Sequence, residues 1–474
     1  MSDKKSKTKS ETKSANTADN NFSLLDLPPR MIENLNRLGY KQMTEIQAQA
    51  IPQVLEGKDL IAKAKTGSGK TAAFGIGLLL KLRPKLFSAQ ALILCPTREL
   101  ATQVANELRK LAQYTENLKI LTLCGGQSIG PQIGSLQHGA HVIVGTPGRI
   151  KDHLRKQTLK LDRVNTLVLD EADRMLDMGF ADDIRDIIKH TPEKRQSLLF
   201  SATYPKTINQ LCSDILRNPV KVEVEATHSK SQIEQYFFEI DKADKLNQFS
   251  AILSHYQPEF AVIFCNTKQS CKDVQQKLWQ LGYKAKAIHG DLEQKERDQI
   301  LTQFSNRSIP FLIATDVAAR GLDIDDLPCV ISYELTRDAE IHTHRIGRTG
   351  RAGKTGIALN LYQPSEAYKV NSIEDYLGAE FEATPIPEAT EQAAAIQPPM
   401  VTLSIAGGKK NKVRPGDILG ALTGDAGIPG AQVGKINIFD FVAYVAVEKS
   451  VARKALDRLD KGKIKGRRFK VRRI

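Results

Sequence analysis

Ala64-Lys-Thr-Gly-Ser-Gly-Lys70-Thr71 stands between the apolar run Leu60 to Ala62 and an apolar stretch that begins near Thr71. A strand that turns through closely spaced glycines into a helix aims backbone amides and a helix N-terminus at one point, which suits a chain of phosphates. In that context Lys70 reaches the β- and γ-phosphates and Thr71 offers its hydroxyl to a magnesium ion. Ala64, Lys65, Thr66, Gly67, Ser68 and Gly69 form the cradle. The same letters in a chance turn would lack the flanking strand and helix. The stretch therefore predicts an α/β domain that holds a nucleotide at a strand end.

Hydrolysis of that nucleotide also needs an acid that holds magnesium through water and a carboxylate that orients the attacking water. Val164 to Leu169 runs directly into Asp170-Glu-Ala-Asp173, 100 residues after Lys70, and supplies both as Asp170 and Glu171. An acidic helix start is the plainer alternative, but a buried strand in front of it favours the catalytic reading.

The pattern extends along the chain. Short apolar runs alternate with amphipathic stretches, the βαβ order of a parallel sheet covered on both faces. The first set of strands is Leu60–Ala62, Ala91–Cys95, Ile120–Leu123, His141–Val144, Leu167–Leu169 and Leu198–Phe200. After the polar stretch Glu225 to Ser231 come Ala261–Phe264, Ala285–Ile288, Phe311–Ala314, Val330–Ser332 and Ile357–Leu361. The expected organisation is a disordered polar tail over 1–21, α/β domains over 22–225 and 226–380, a Pro/Ala/Glu-rich linker over 381–399, and a module over 400–474.

Composition narrows the function classes. With 41% hydrophobic and 26% charged residues the chain is an ordinary globular protein. Its apolar runs stop well short of the ~20 residues that span a bilayer, and the N-terminus has no apolar stretch of a secretory signal. A cytoplasmic protein without membrane contact is expected, and a monomer. Six cysteines form no CxxC pair, against both a zinc site and a disulfide framework. Of the net charge of +14, residues 401–474 carry +11 (10 Lys and 7 Arg against 5 Asp and 1 Glu). Such a concentrated field is the footprint of a polyanion-binding module.

Over roughly Phe22 to Tyr376 the chain resembles the DEAD-box RNA helicases. The family's strings follow in its order: Phe22, then Gly39-Tyr-Lys-Gln-Met-Thr-Glu-Ile-Gln47, Pro96-Thr-Arg-Glu-Leu100, Gly125-Gly126, Thr146-Pro-Gly-Arg149, the acidic string and Ser201-Ala-Thr203. Met43 and Glu45 stand where prolines are usual, and Lys65 where Gln is commoner. The resemblance implies two tandem RecA-like parallel-sheet domains, with ATP and Mg2+ as cofactors and RNA as partner. It assigns adenine reading to Gln47 and base stacking to Phe22. Pro96, Thr97, Arg98, Gly126, Thr146, Pro147, Gly148 and Arg149 are assigned to RNA, and Ser201 and Thr203 to coupling. In the second domain it makes Arg348 and Arg351 of His344-Arg-Ile-Gly-Arg-Thr-Gly-Arg351 the arginines on the γ-phosphate; a basic loop gripping RNA is the alternative. Asp323 falls on the ribose, and Thr267, Gln294, Arg297, Thr315 and Asp316 on the RNA side. The second half has no phosphate loop of its own, so hydrolysis requires both domains.

From Met400 the order is strand, helix (Pro415 to Leu422), strand, strand, helix (Ser450 to Leu459), strand, that of a small α+β RRM-like domain. Its central strands keep Tyr444 but place Val442, Val447 and Ser404 at the other stacking positions. Base readout on the sheet is therefore in question, and Lys409, Lys410, Lys412, Arg467 and Arg468 are expected to carry more of the binding. A helicase core followed by this module resembles the bacterial DbpA type of the family, which implies a 23S rRNA hairpin in pre-ribosomal particles as target. A general mRNA-remodelling helicase and a non-catalytic ATP-dependent RNA clamp or annealing protein are the alternatives.

Overall fold

The computed structural model describes residues 20–64, 68–203, 206–224, 233–319, 327–350, 355–388, 396–424 and 427–474. Of the site residues expected above, Lys65, Thr66, Gly67, Asp323 and Arg351 lie outside the described residues, as do residues 1–19 of the expected tail. The chain divides into two compact units, Met1–Ala226 and Thr227–Ile474.

The first unit is built on a seven-stranded sheet. Its strands are β1 (Leu60–Lys63), β2 (Ala91–Leu94), β3 (Ile120–Leu123), β4 (Val142–Gly145), β5 (Thr166–Asp170), β6 (Gln196–Ser201) and β7 (Val220–Glu223). They run in the order β3-β4-β2-β5-β6-β1-β7 and every pairing is parallel. Side chains alternate between the faces, as strand geometry demands. Ile93, Val168 and Phe200 enter one core with Phe74, while Leu92, Leu167 and Leu199 enter the other with Ile143 and Met175. Both faces are covered, which is why the central strands read as unbroken apolar runs. The edge strand β7 was not foreseen: Val-Lys-Val-Glu buries only Val222 and carries a weak apolar signal. It is pinned beside β1 by Asp59, whose carboxylate accepts from the amides of Ser197 at 2.8 Å and Arg217 at 2.7 Å.

The second unit contains a six-stranded parallel sheet of β8 (Ile233–Glu239), β9 (Ala261–Cys265), β10 (Ala285–Ile288), β11 (Phe311–Thr315), β12 (Cys329–Ser332) and β13 (Gly356–Tyr362). The order is β10-β11-β9-β12-β13-β8. β8 too was absent from the strands expected from sequence. Part of the stretch read as a linker is seated on it: Phe381 packs on Phe237 with ring centroids 4.5 Å apart, and the Thr384 amide donates to the Phe237 carbonyl at 2.7 Å.

A third sheet, antiparallel, is formed by β14 (Met400–Ile405), β15 (Val433–Ile438), β16 (Ala443–Glu448) and β17 (Val471–Arg473) in the order β15-β16-β14-β17. Helices Pro415–Thr423 and Ala452–Lys461 cover one face over Leu403, Ile405, Val445 and Val447. The expected fold class is thus observed, two parallel-sheet α/β domains and a small α+β domain of βαββαβ order. The opposite face of the third sheet is also covered. Thr402, fully buried, meets Ser308 Oγ at 2.5 Å and accepts from Asn306 Nδ2 at 3.3 Å, and Lys435 Nζ donates to Ser305 Oγ at 3.1 Å. Residues at and just after the end of helix Gln294–Ser305 therefore sit against the face on which an ordinary RRM stacks bases.

His342, on helix Ala339–Ile346, generates a pH prediction. It is fully buried, with Nε2 3.0 Å from Gln235 Oε1 on β8, and burial reinforced by nearby Arg345 pushes its pKa down to about 3. The unfolded chain protonates this ring near ~6.5 and so binds more protons than the folded chain below that pH. The stability it contributes is complete above about pH 6.5 and is lost as pH falls toward the folded value. Urea unfolding at pH 7.5, 6 and 5 should show a smaller decline for His342→Gln than for the wild type. Parallel declines would show that other groups set the acid limit.

Candidate functional site

The C-terminal ends of β1, β5 and β6 are adjacent because these strands are neighbours in a parallel sheet. The loop after β1 passes Ala64, whose amide donates to the Ser201 carbonyl at 3.0 Å, and reaches Gly69 at φ +90°. Helix Lys70–Leu80 starts there. A Cβ at Gly69 would overlap the Gln47 amide, so only glycine allows the loop to close over that side chain. Gln47 is buried and doubly held: its Nε2 donates to the Gly69 carbonyl at 3.1 Å and its Oε1 accepts from the Thr44 amide at 3.0 Å. Thr44 Oγ1 in turn donates to the Ser68 carbonyl at 2.7 Å. Gln47 thus fixes the phosphate loop, a task that sequence did not reveal beside its expected reading of adenine; each end of its amide retains one free hydrogen-bonding position. Phe22 is 2% exposed and packs edge-on to Tyr40. It anchors the segment leading into that helix and presents no open ring face to a base, a correction to the expected stacking role.

Lys70 and Asp170 carry two buried polar atoms that the fold leaves unanswered at the ends of β1 and β5. Lys70 Nζ and Asp170 Oδ1 are both buried, and neither finds a hydrogen-bond partner among the described residues. Burial pushes the Asp170 carboxyl up to about 6, with Lys70 opposing that rise and Glu171 adding to it. Unpaired buried groups of opposite charge are costly to keep, and an ATP phosphate chain with its cation would satisfy both. Thr71 stands beside Lys70 on the first turn of the helix. Glu171 follows β5 in the left-handed region (φ 54°), and its Oε2 accepts from Arg174 Nη1 at 3.0 Å.

Asp173 closes the site in a way its letter alone did not show. Its Oδ2 accepts from the Thr203 amide at 3.0 Å and the Thr203 hydroxyl at 2.9 Å, and its own amide donates to Ser201 Oγ at 3.4 Å. The expected coupling residues Ser201 and Thr203 therefore meet the acidic string directly.

On the same edge of the sheet, Thr97 caps helix Arg98–Leu111, accepting from the Leu100 amide at 3.2 Å, while Pro96 ends the buried approach from β2. The guanidinium of Arg98 lies on Gly126, at φ +71°, where any Cβ would overlap it. Thr146, Pro147, Gly148 and Arg149 open helix Pro147–Arg155 after β4. Arg149 Nη2 donates to the Gln127 carbonyl at 2.9 Å. His153 joins the two groups from behind: its Nε2 lies 3.1 Å from Gln132 Oε1, and Gln132 Nε2 donates to the Cys124 carbonyl at 2.9 Å. Nothing in the motif spacing signalled this buried tie.

In the second unit the organising group is Arg345, 2% exposed. Its fork grips Asp316 through two 2.7 Å bonds, and it also donates to the Glu334 carbonyl at 2.6 Å and to Asn266 Oδ1 at 3.0 Å. It thereby ties the ends of β11, β9 and β12. Asp316, expected on the RNA side, is occupied as the partner of Arg345; Thr315 accepts from the Ala318 amide at 3.4 Å. Thr267 caps helix Lys268–Gln280, Gln294 Nε2 donates to Asp298 at 2.8 Å, and Arg297 Nη2 donates to the Ala318 carbonyl at 3.4 Å. Arg348 is buried just past helix Ala339–Ile346, its carbonyl accepting from the Leu327 amide at 3.1 Å. In the small domain Lys409, Lys410, Lys412, Arg467 and Arg468 are all exposed, and Lys465 Nζ donates to the Lys412 carbonyl at 3.2 Å, drawing the two basic loops together.

Comparison with known proteins agrees with this geometry. Residues 44–211 match the DEAD/DEAH box helicase family, 241–353 the helicase conserved C-terminal domain and 402–473 the DbpA RNA binding domain. The chain is 53% identical over 452 residues to the ATP-dependent RNA helicase DbpA of Escherichia coli, covering 95% of this chain and 99% of that protein. It is 45% identical over 355 residues to the ATP-dependent RNA helicase CshA of Listeria monocytogenes, covering 75% and 68% respectively. Among solved structures, Saccharomyces cerevisiae Dbp5 bound to RNA and ADP BeF3 is similar with a TM-score of 0.70 and 30% identity, over 78% of this chain and 96% of that one. Phosphate loop, latched acidic string and C-terminal domain all fall within these matches, and the chain belongs to the DEAD-box ATP-dependent RNA helicases of the DbpA type.

Proposed function

We propose that this helicase remodels 23S ribosomal RNA during assembly of the large ribosomal subunit, with residues 400–474 as its address. The observation that carries the proposal is the match of 402–473 to the DbpA RNA binding domain on a chain similar to DbpA over almost its whole length. We take the functional divisions as 22–225, 226–380, 381–399 and 400–474, in a cytoplasmic monomer. No helix among the described residues is long and apolar enough to cross a membrane.

Within that function, Lys70, Thr71 and Asp170 hold the magnesium–ATP phosphates, as the buried and unanswered Nζ and Oδ1 indicate. The metal ion, when bound, offsets charge on the phosphate oxygens. Glu171 orients the attacking water and accepts its proton; the Arg174 ion pair occupies one carboxylate oxygen and fixes where the other points. Arg348 and Arg351 stabilise charge on the γ-phosphate. Asp173 passes any shift of the acidic string to Ser201 and Thr203. Arg98 and Arg149 grip RNA phosphates without regard to sequence.

Three outcomes test this assignment. Steady-state ATPase of the full chain should be stimulated far more by large-subunit ribosomal RNA than by poly(A), and a core ending after residue 388, which keeps Phe381 on Phe237, should lose that difference. Equal stimulation of the full chain by both RNAs would favour general mRNA remodelling. Glu171→Gln should retain ATP and RNA binding but lower turnover by about 10²–10⁴-fold, the worth of a positioned general base; near-normal turnover would remove Glu171 from that role. Arg345→Lys keeps the charge but loses the bidentate fork. The RNA concentration giving half-maximal ATPase should rise about tenfold, one decade for ~1.4 kcal/mol, while ATP binding without RNA is unchanged. An unaltered RNA requirement would reduce Arg345 to a structural tie.

A further inference from the structure

We propose that Phe441 is a stacking platform for an unpaired base of the RNA, with Lys409 and Lys410 holding the flanking phosphates. The inference rests on the reading that the C-terminal domain binds RNA, and names the surface it uses.

The usual platform is closed. Tyr444, the single aromatic left on the central strands, is 2% exposed, and its neighbour Thr402 is bonded to Ser308 and Asn306. The domain has four aromatic residues, Phe439, Phe441, Tyr444 and Phe469. Phe439 is half-buried and edge-on to Tyr444, and Phe469 packs over Gly407. Phe441 alone stands out, at 72% exposed. A scattered apolar side chain on a surface is ordinary, but the setting of this one is not. It occupies the tip of the β15–β16 hairpin, which is closed by the Phe439 amide donating to the Val442 carbonyl at 2.8 Å. The turn that carries the lysines is stitched to that tip: the Lys409 amide donates to the Phe439 carbonyl at 2.8 Å and the Lys410 amide to the Asp440 carbonyl at 2.9 Å. The two turns touch so closely that a Cβ at Gly408 would overlap the Phe439 carbonyl and crowd Asp440. The backbone bonds thus bring the segments that carry one exposed ring, Phe441, and two exposed lysines, Lys409 and Lys410, side by side at one corner, with Asp440 between them in the hairpin turn. An exposed aromatic ring beside cations is how proteins hold a splayed base and its backbone. A paired duplex offers no such base, so the corner favours a loop or junction.

The experiment uses the full chain and three probes: a structured 23S ribosomal RNA fragment that stimulates the ATPase, a fully paired duplex of similar length, and poly(A). Phe441→Ala should weaken binding of the structured fragment about tenfold to a hundredfold, the range of one base–aromatic stack. Phe441→Trp should keep the wild-type affinity, and the duplex should bind all three proteins alike. Lys409→Gln combined with Lys410→Gln should lower the slope of log affinity against log salt by about 1.5–2, two phosphate contacts' worth. Equal binding of the fragment by wild type and Phe441→Ala, or equal losses for the Ala and Trp variants, would overturn the stack while leaving the domain's RNA role standing; in the first case the ring would belong to a protein contact. If removal of 400–474 left fragment binding unchanged, the RNA role of the domain would fall and the stack with it.

Discussion

All strands of a parallel sheet end on the same edge, and that constraint governs both α/β domains. In the first, β5, β6 and β1 are neighbours, so the phosphate loop, the acidic string and Ser201-Ala-Thr203 start side by side although they are scattered over more than a hundred residues of chain. Adjacent loops can exchange short hydrogen bonds, and Asp173, Ser201, Thr203 and Ala64 do so. In the second, β11, β9 and β12 are neighbours and Arg345 draws their ends together. Each domain thus has an edge on which its motifs are tied to one another by hydrogen bonds.

The site concentrates polar groups where burial is expensive and leaves some of them unanswered. Most buried groups in this region are satisfied within the protein: Gln47 by Gly69 and Thr44, Asp173 by Thr203, and Arg345 by three strand ends. Lys70 Nζ and Asp170 Oδ1 stand apart from that rule, as do Nε and Nη1 of Arg149 farther along the same edge. A fold that buries a cation and a carboxylate without hydrogen-bond partners gains binding energy when a ligand supplies the missing partners, because the desolvation has already been met during folding.

The C-terminal domain shows the opposite economy. An RRM-like sheet normally offers one free face, and here Thr402 and its neighbours meet Ser305, Asn306 and Ser308 on that face. Docking of the domain and reading of RNA on the sheet would compete for the same surface, which is why the proposed RNA contacts are placed on the basic loops and the hairpin tip. The loss of aromatics at three of the four expected stacking positions is consistent with that trade.

Local strings were legible because the chemistry they encode is local. A strand, a glycine turn and a helix start make a phosphate loop in eight consecutive residues, and an apolar run ending in acids marks a strand end wherever it lies. The charge of residues 401–474 likewise needed only counting. Strand β7 escaped because it buries a single side chain, and β8 because its Ile-Glu-Gln-Tyr-Phe-Phe-Glu buries only two adjacent side chains and shows no alternation to read. Gln47 as a clamp on the phosphate loop, the Asp173 latch, Arg345 rather than its neighbours as the internal tie, the burial of Phe22 and Tyr444, and the exposure of Phe441 were decided by tertiary structure alone. Each depends on which residues distant in sequence come within about 3 Å or cover one another, and the distribution of residue types along a chain does not encode that distance.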